Sequence, residues 1–144
     1  MKISNKKAFL NYDISDRVEA GINLLGAEVK AVRLGHADLS GSFVKIMGSE
    51  VYLHNAKIFP YKYAAPEGYD EDRTRKLLLH KKEIIALKGK TDGANLAIVP
   101  LSIYTTESFI KVELGLGRGK KKYEKKQALK AKDIERDIEQ DLAS

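Results

Sequence analysis

The sequence predicts a mainly β domain, a small antiparallel β-barrel with two or three short helices, followed by a basic C-terminal tail. Three observations predict it. Residues 42–58 (SFVKIMGSEVYLHNAKI) form a hairpin pattern around the turn pair Gly48-Ser49. Residues 95–105 and 109–117 read as two further strands, with Lys111-Val112-Glu113-Leu114 alternating polar and apolar. The charge is uneven: residues 117–132 hold eight basic side chains and one acidic one, a local +7, against a net charge of +6 for all 144 residues.

Taken in order, residues 9–15 (FLNYDIS) read as a strand. Asp16 suits the N-cap of a short helix over 17–25, with Glu19 completing a capping box and Gly26 ending it. AEVKAVRL (27–34) reads as a strand, with a bulge where Ala31-Val32 breaks the alternation. Residues 60–72, with two prolines, a glycine and an acidic cluster, read as a long surface loop. Leu77-Leu78-Leu79 is a buried strand or a first helical turn, ahead of a helix from about 80 to 89. A barrel removes sheet edges at this size, and an OB-like barrel fits the pattern first, an SH3-like barrel second. Two regions result: residues 1–117 as the barrel and 118–144 as the tail.

The tail has helix-forming composition but badly placed charge. Its basic half lies N-terminal and its acidic half (Asp133, Glu135, Asp137, Glu139, Asp141) C-terminal, against the helix macrodipole. Like-charge pairs four residues apart add to the cost. The expectation is a tail disordered alone that becomes helical on an anionic surface.

Several function classes find no support. Without cysteine there is no disulfide framework and no thiolate metal site. The N-terminus MKISNKKAFLNYD has no apolar core like that of a secretory signal, and no run approaches a membrane span. A cytoplasmic protein with no membrane partner is expected. GLGRGKK (115–121) fails both glycine-rich phosphate motifs and reads as a hinge into the tail. His36, His54 and His80 stand alone, and Asp70-Glu71-Asp72 reads as a solvated loop, so no metal, cofactor or enzymatic site is expected.

The basic surplus points to a polyanion, since each cation that neutralises a phosphate releases counterions. Asn5-Lys6-Lys7, Arg73-Thr74-Arg75-Lys76 and 118–132 are the basic elements, and Tyr123 lies within the last as a stacking candidate. No helix-turn-helix or zinc-finger spacing appears, which favours folded RNA over duplex DNA.

NKKA (5–8) with Tyr12, EAGINLLGAEVKAVRLG (19–35), RTRKLLLHKKEI (73–84), LSIY (101–104) and KVELGLGRGKKKYEKK (111–126) together resemble the SsrA-binding protein (small protein B) family. The resemblance implies an OB-type barrel, monomeric, that binds the tRNA-like domain of tmRNA. It further implies delivery of alanyl-tmRNA, with elongation factor Tu and GTP, to stalled ribosomes for trans-translation. Asn5, Glu19, Leu78 and Lys111 would touch tmRNA, with Lys6, Lys7, Arg73 and Arg75 in support. For Glu19 the capping role and an acceptor role toward RNA both stay open, and Leu78 is either a base platform or core. Gly119, Lys120, Tyr123, Glu124, Lys125 and Lys126 would face the decoding centre of the 30S subunit and the empty mRNA channel. The family commonly has Asp-Lys-Arg where this chain has Glu124-Lys125-Lys126, so the guanidinium fork is missing at Lys126. Asp38, Phe43 and Lys57 also depart from the commoner Asn, Tyr and His. A general RNA-binding barrel and an RNA-processing enzyme are the competing readings.

Overall fold

The computed structural model describes residues 1–120. Its elements are β1 (Lys2–Ser4), α1 (Lys6–Asn11), β2 (Tyr12–Ile22), α2 (Gly26–Arg33), β3 (Ala37–Asp38), β4 (Phe43–Met47) and β5 (Glu50–His54). They continue with β6 (Lys57–Ile58), β7 (Arg75–Leu78), α3 (Lys81–Ala94), β8 (Ala97–Thr105) and β9 (Ile110–Gly119). Seven strands form one antiparallel sheet in the order β1-β8-β9-β2-β7-β5-β4, and β3 pairs with β6 apart from it. The sheet curls until β4 lies against β8. The mainly β antiparallel reading therefore holds.

The hairpin is as expected, with Met47 opposite Glu50 and Gly48 at a φ of 66° that a Cβ would strain. β8 and β9 also appear where the alternation put them. Leu77 and Leu78 belong to β7, and α3 runs on to Ala94.

Residues 9–34 are a correction. Residues 6–11 are helical, the expected helix over 17–25 is the second half of β2, and the expected strand over 27–34 is α2. Val18, Ala20 and Ile22 pack against the core while Arg17, Glu19 and Gly21 face away from it, a period of two. A register shift between Ile14 and Asp16 breaks that phase against β9 and hides it. In α2 the buried positions are Glu28, Ala31 and Val32, a helical spacing disguised by a charged member. The cap also lies later than expected: Glu28 Oε1 accepts the Leu25 N–H at 2.9 Å, so Gly26 opens a helix instead of closing one.

The glycines of 115–119 are not a hinge. Gly115 and Gly117 lie within β9, where an added Cβ would stand 2.9 Å from Leu101 Cδ1 and 3.1 Å from the Asp13 carbonyl oxygen respectively. β9 ends two residues past the expected boundary at 117, pairing Gly119 with Tyr12. Among the described residues no helix is long and apolar enough to cross a membrane.

Candidate nucleic-acid interface

One row of residues crosses the outer face of the sheet. Tyr104 lies opposite Lys111, Lys111 opposite Gly21, and Gly21 opposite Leu78, on β8, β9, β2 and β7 in turn. Their neighbours Ile103, Val112, Ala20 and Leu77 fill the core, so the row itself faces out. Gly21 has no side chain, and the row dips at that point. Leu78 is 53% exposed and packs at the edge of the dip, 3.2 Å from where a Gly21 Cβ would stand. Glu19 follows two residues along the same face of β2.

Glu19, Gly21, Leu78 and Lys111 line a cleft of about 800 Å³, closed by Val29 and Arg33 of α2, His80 and Glu83 at the start of α3, and Phe109. Phe109 is 65% exposed, and the Lys111 ammonium lies 5.7 Å from its ring centre. The Tyr104 hydroxyl donates a hydrogen bond to Glu19 Oε2. Burial, then that bond and the charges of Glu19 and Glu113, push the Tyr104 phenol up to about 12. The cleft thus combines an acceptor, a cation and two exposed apolar side chains. The structure brings Glu19, Leu78 and Lys111 together, and neither capping nor core packing occupies the first two.

The other expected contacts lie elsewhere. Asn5 is buried, donating its backbone N–H to Leu101 and its Nδ2 to the Pro100 carbonyl, both at 2.8 Å, at the irregularity of β8. Lys6 and Lys7 are exposed beside it, and Lys7 borders a smaller recess with Tyr12 and Phe43. Arg73 is partly exposed but committed to Glu28, its Nε 3.2 Å from Oε2. Arg75 corrects an expectation: its side chain has no exposed surface, and its donors go to Glu28, Tyr69 and the carbonyls of Ala56, Glu71 and Arg73. No phosphate reaches it. Gly119 is exposed at the end of β9, and Lys120 donates its backbone N–H to Asn11 O at 2.8 Å and its ammonium to Phe9 O at 3.1 Å. Tyr123, Glu124, Lys125, Lys126 and the tail's expected conformation lie outside the described residues. No group of three or more His, Cys, Asp or Glu among the described residues is placed to hold a metal ion.

Comparison with known proteins decides the family. The family model described as SmpB protein matches residues 2–144. The chain belongs to the SmpB family. It is 52% identical over 136 residues to the SsrA-binding protein of Sulfurihydrogenibium sp. (strain YO3AOP1), covering 94% of this chain and 90% of that one. With the SsrA-binding protein of Geobacter sulfurreducens it shares 48% over 139 residues, covering 96% and 91%. With that of Staphylococcus aureus (strain Newman) it shares 46% over 138 residues, covering 96% and 90%. A solved chain described by the words "tmRNA-SmpB: a journey to the center of the bacterial ribosome" superposes with a TM-score of 0.70 at 42% identity, covering 89% of this chain and 94% of that one.

Within this SmpB-family fold, sequence reasoning missed Gly21, Arg33 and Phe109 as parts of the cleft, and Tyr104 as the hydrogen-bond donor that holds Glu19. Gly21 meets Lys111, and Tyr104 meets Glu19, only because the fold brings together segments more than 80 residues apart. The available signal was the alternation of Val18, Ala20 and Ile22, which places Glu19 and Gly21 together on the opposite face.

Proposed function

We propose that this chain binds the tRNA-like domain of tmRNA through the cleft face of its barrel and accompanies it to stalled ribosomes for trans-translation. The observation that carries the proposal is the meeting of Glu19, Leu78 and Lys111 around Gly21, with an acceptor, an apolar platform and a cation in one depression. RNA loops are recognised by such mixed sites, where unstacked bases rest on side chains and hydrogen-bond at their edges. The family membership and the likeness to a solved tmRNA-SmpB chain support the same reading. In this proposal the protein is a cytoplasmic monomer and a carrier without covalent chemistry. It travels with alanyl-tmRNA, elongation factor Tu and GTP. The barrel holds tmRNA, while the tail, with Tyr123, Glu124, Lys125 and Lys126, enters the decoding centre and the empty mRNA channel.

Binding of the tRNA-like domain to the full chain and to residues 1–120, in excess tRNA, tests it. The cut falls after Lys120 because an earlier one removes the last rungs between β2 and β9. Selective binding by both forms is expected. Loss of selectivity, or loss of binding with the tail, would leave a charge-driven RNA binder instead.

A further inference from the structure

We propose that the cleft seats one unpaired guanine and that Glu19 is the residue that reads it. This rests on the RNA-binding reading of the same face and goes beyond it by naming the base.

The argument begins with Gly21. Lys111 and Leu78 are on either side of it, two strand spacings apart, which is about 10 Å. Between them Gly21 has no side chain of its own, and Leu78 Cδ1 leans to 3.6 Å from where its Cβ would stand, so a flat ring can rest beside Leu78 over the strand. Leu78 and Phe109, both more than half exposed, supply apolar surface at its margins.

The hydrogen-bonding groups then select the ring. An ionised carboxylate only accepts. Glu19 Oε2 takes the Tyr104 hydroxyl, which fixes the group, and Oε1 has no hydrogen-bond partner among the described residues. The site therefore calls for donors. Adenine, cytosine and uracil each place an acceptor beside the donor on their pairing edge, and that acceptor would face the carboxylate. Guanine alone presents two adjacent donors, N1–H and the N2 amino group, with O6 next to them. Lys111 lies diagonally across from Glu19 on the neighbouring strand, makes no salt bridge among the described residues, and supplies the donor that O6 needs. A ribose offers hydroxyl donors as well, but these are common to all nucleotides and give no preference among bases.

The test is an NMR titration of the full chain with GMP, IMP, AMP, CMP and UMP, following the amides of Gly21, Leu78 and Lys111. IMP is the analogue of GMP without the N2 amino group. GMP is expected to shift these amides and to bind about fivefold or more tighter than IMP, the lower end of bidentate base readout. Glu19→Gln is expected to erase that preference, and Tyr104→Phe to weaken it. Equal affinity for all five nucleotides would assign the carboxylate to ribose and overturn the proposal. So would shifts confined to another face, or a preference for GMP that survives Glu19→Gln. The two readings fail separately. If GMP is preferred but the tRNA-like domain does not bind, only the tmRNA assignment falls. If that domain binds but the nucleotides are not distinguished, only the guanine assignment falls.

Discussion

Arg75 and Glu28 form an ion pair in which neither side chain is exposed, with Nη2 and Oε2 2.7 Å apart. Glu28 lies in the first turn of α2 and also accepts from Leu25 N–H, Arg73 and the Tyr69 hydroxyl. Arg75 opens β7 and reaches the carbonyls of Ala56 and Glu71. The pair thus fastens α2, β7 and the loop after β6 at a single point. Removing one partner strands a buried charge, which costs about 3–5 kcal/mol. Arg75→Ala and Glu28→Ala are each expected to lower the unfolding free energy measured in urea by that amount, whereas Lys76→Ala, which breaks an exposed pair with Glu50, changes it by less than about 1 kcal/mol. Equal effects would show that the buried network does not hold the fold together.

Acid should open the same point. Burial alone would raise the Glu28 carboxyl, but the hydrogen bonds from Arg73, Leu25, Arg75 and Tyr69 outweigh it and hold the pKa at about 2, against an ordinary 4.5. A depressed folded-state value means that the stabilisation is complete above pH 4.5 and disappears as pH falls towards 2. It amounts to about 3 kcal/mol. Thermal melts from pH 7 to pH 2 are expected to show a steep loss below about pH 5. In Glu28→Gln that part of the slope is missing, although the variant starts lower. A parallel decline in both proteins would place the acid sensitivity elsewhere.

The glycines of β9 give a test that does not touch charge. An alanine Cβ at Gly115 would press on Leu101 and Ile14, and one at Gly117 on Ile14, Tyr12 and the Asp13 backbone. Gly115→Ala and Gly117→Ala are expected to destabilise the domain by about 1–3 kcal/mol each. Gly119→Ala, with nothing within 4 Å, is expected to be silent. If Gly115→Ala left the melting temperature unchanged, the close packing of β2, β8 and β9 at that point would be wrong.

Filling the dip in the outer face should affect ligand and not fold. In Gly21→Val the Cβ alone stands 3.2 Å from Leu78 Cβ, so the exposed Leu78 side chain must turn aside, and the added methyls fill the dip. Affinity for the tRNA-like domain is expected to fall about tenfold or more with little change in the melting curve. Lys76→Ala, on the same strand as Leu78 but outside the cleft, serves as control. Unchanged RNA affinity in Gly21→Val would exclude this depression from the interface.

Much of the fold was legible in the sequence because the signals were local. Gly48-Ser49 dictates a turn, and Lys111-Val112-Glu113-Leu114 dictates a strand face. Residues 9–34 misled for a physical reason: a bulge near Ser15 shifted one pattern, and buried Glu28 broke the other. A charged residue in a core position has no signature until its partners are known, and Arg73 and Arg75 lie more than 40 residues away. The same distance explains the site. Arg75 and Arg73 look alike in a basic run, yet the alternation that buries Leu77 also buries Arg75 and turns Leu78 out to solvent. Glu19, Leu78 and Lys111 were recognised through family resemblance, but their meeting point, Gly21, needed the paired strands.

The ribbon of β2 and β9 has one further consequence. One end carries Gly21 beside Lys111, and the other carries Tyr12 beside Gly119, where the chain leaves for its tail. Nine residue steps along β2, from Tyr12 to Gly21, separate the two ends, a span of about 30 Å. A two-stranded ribbon embedded in a larger sheet does not stretch, so it works as a gauge block, setting how far the first tail residue stands from whatever the cleft grips. Its length, more than its surface, would decide which two places on a large assembly the protein can occupy at once.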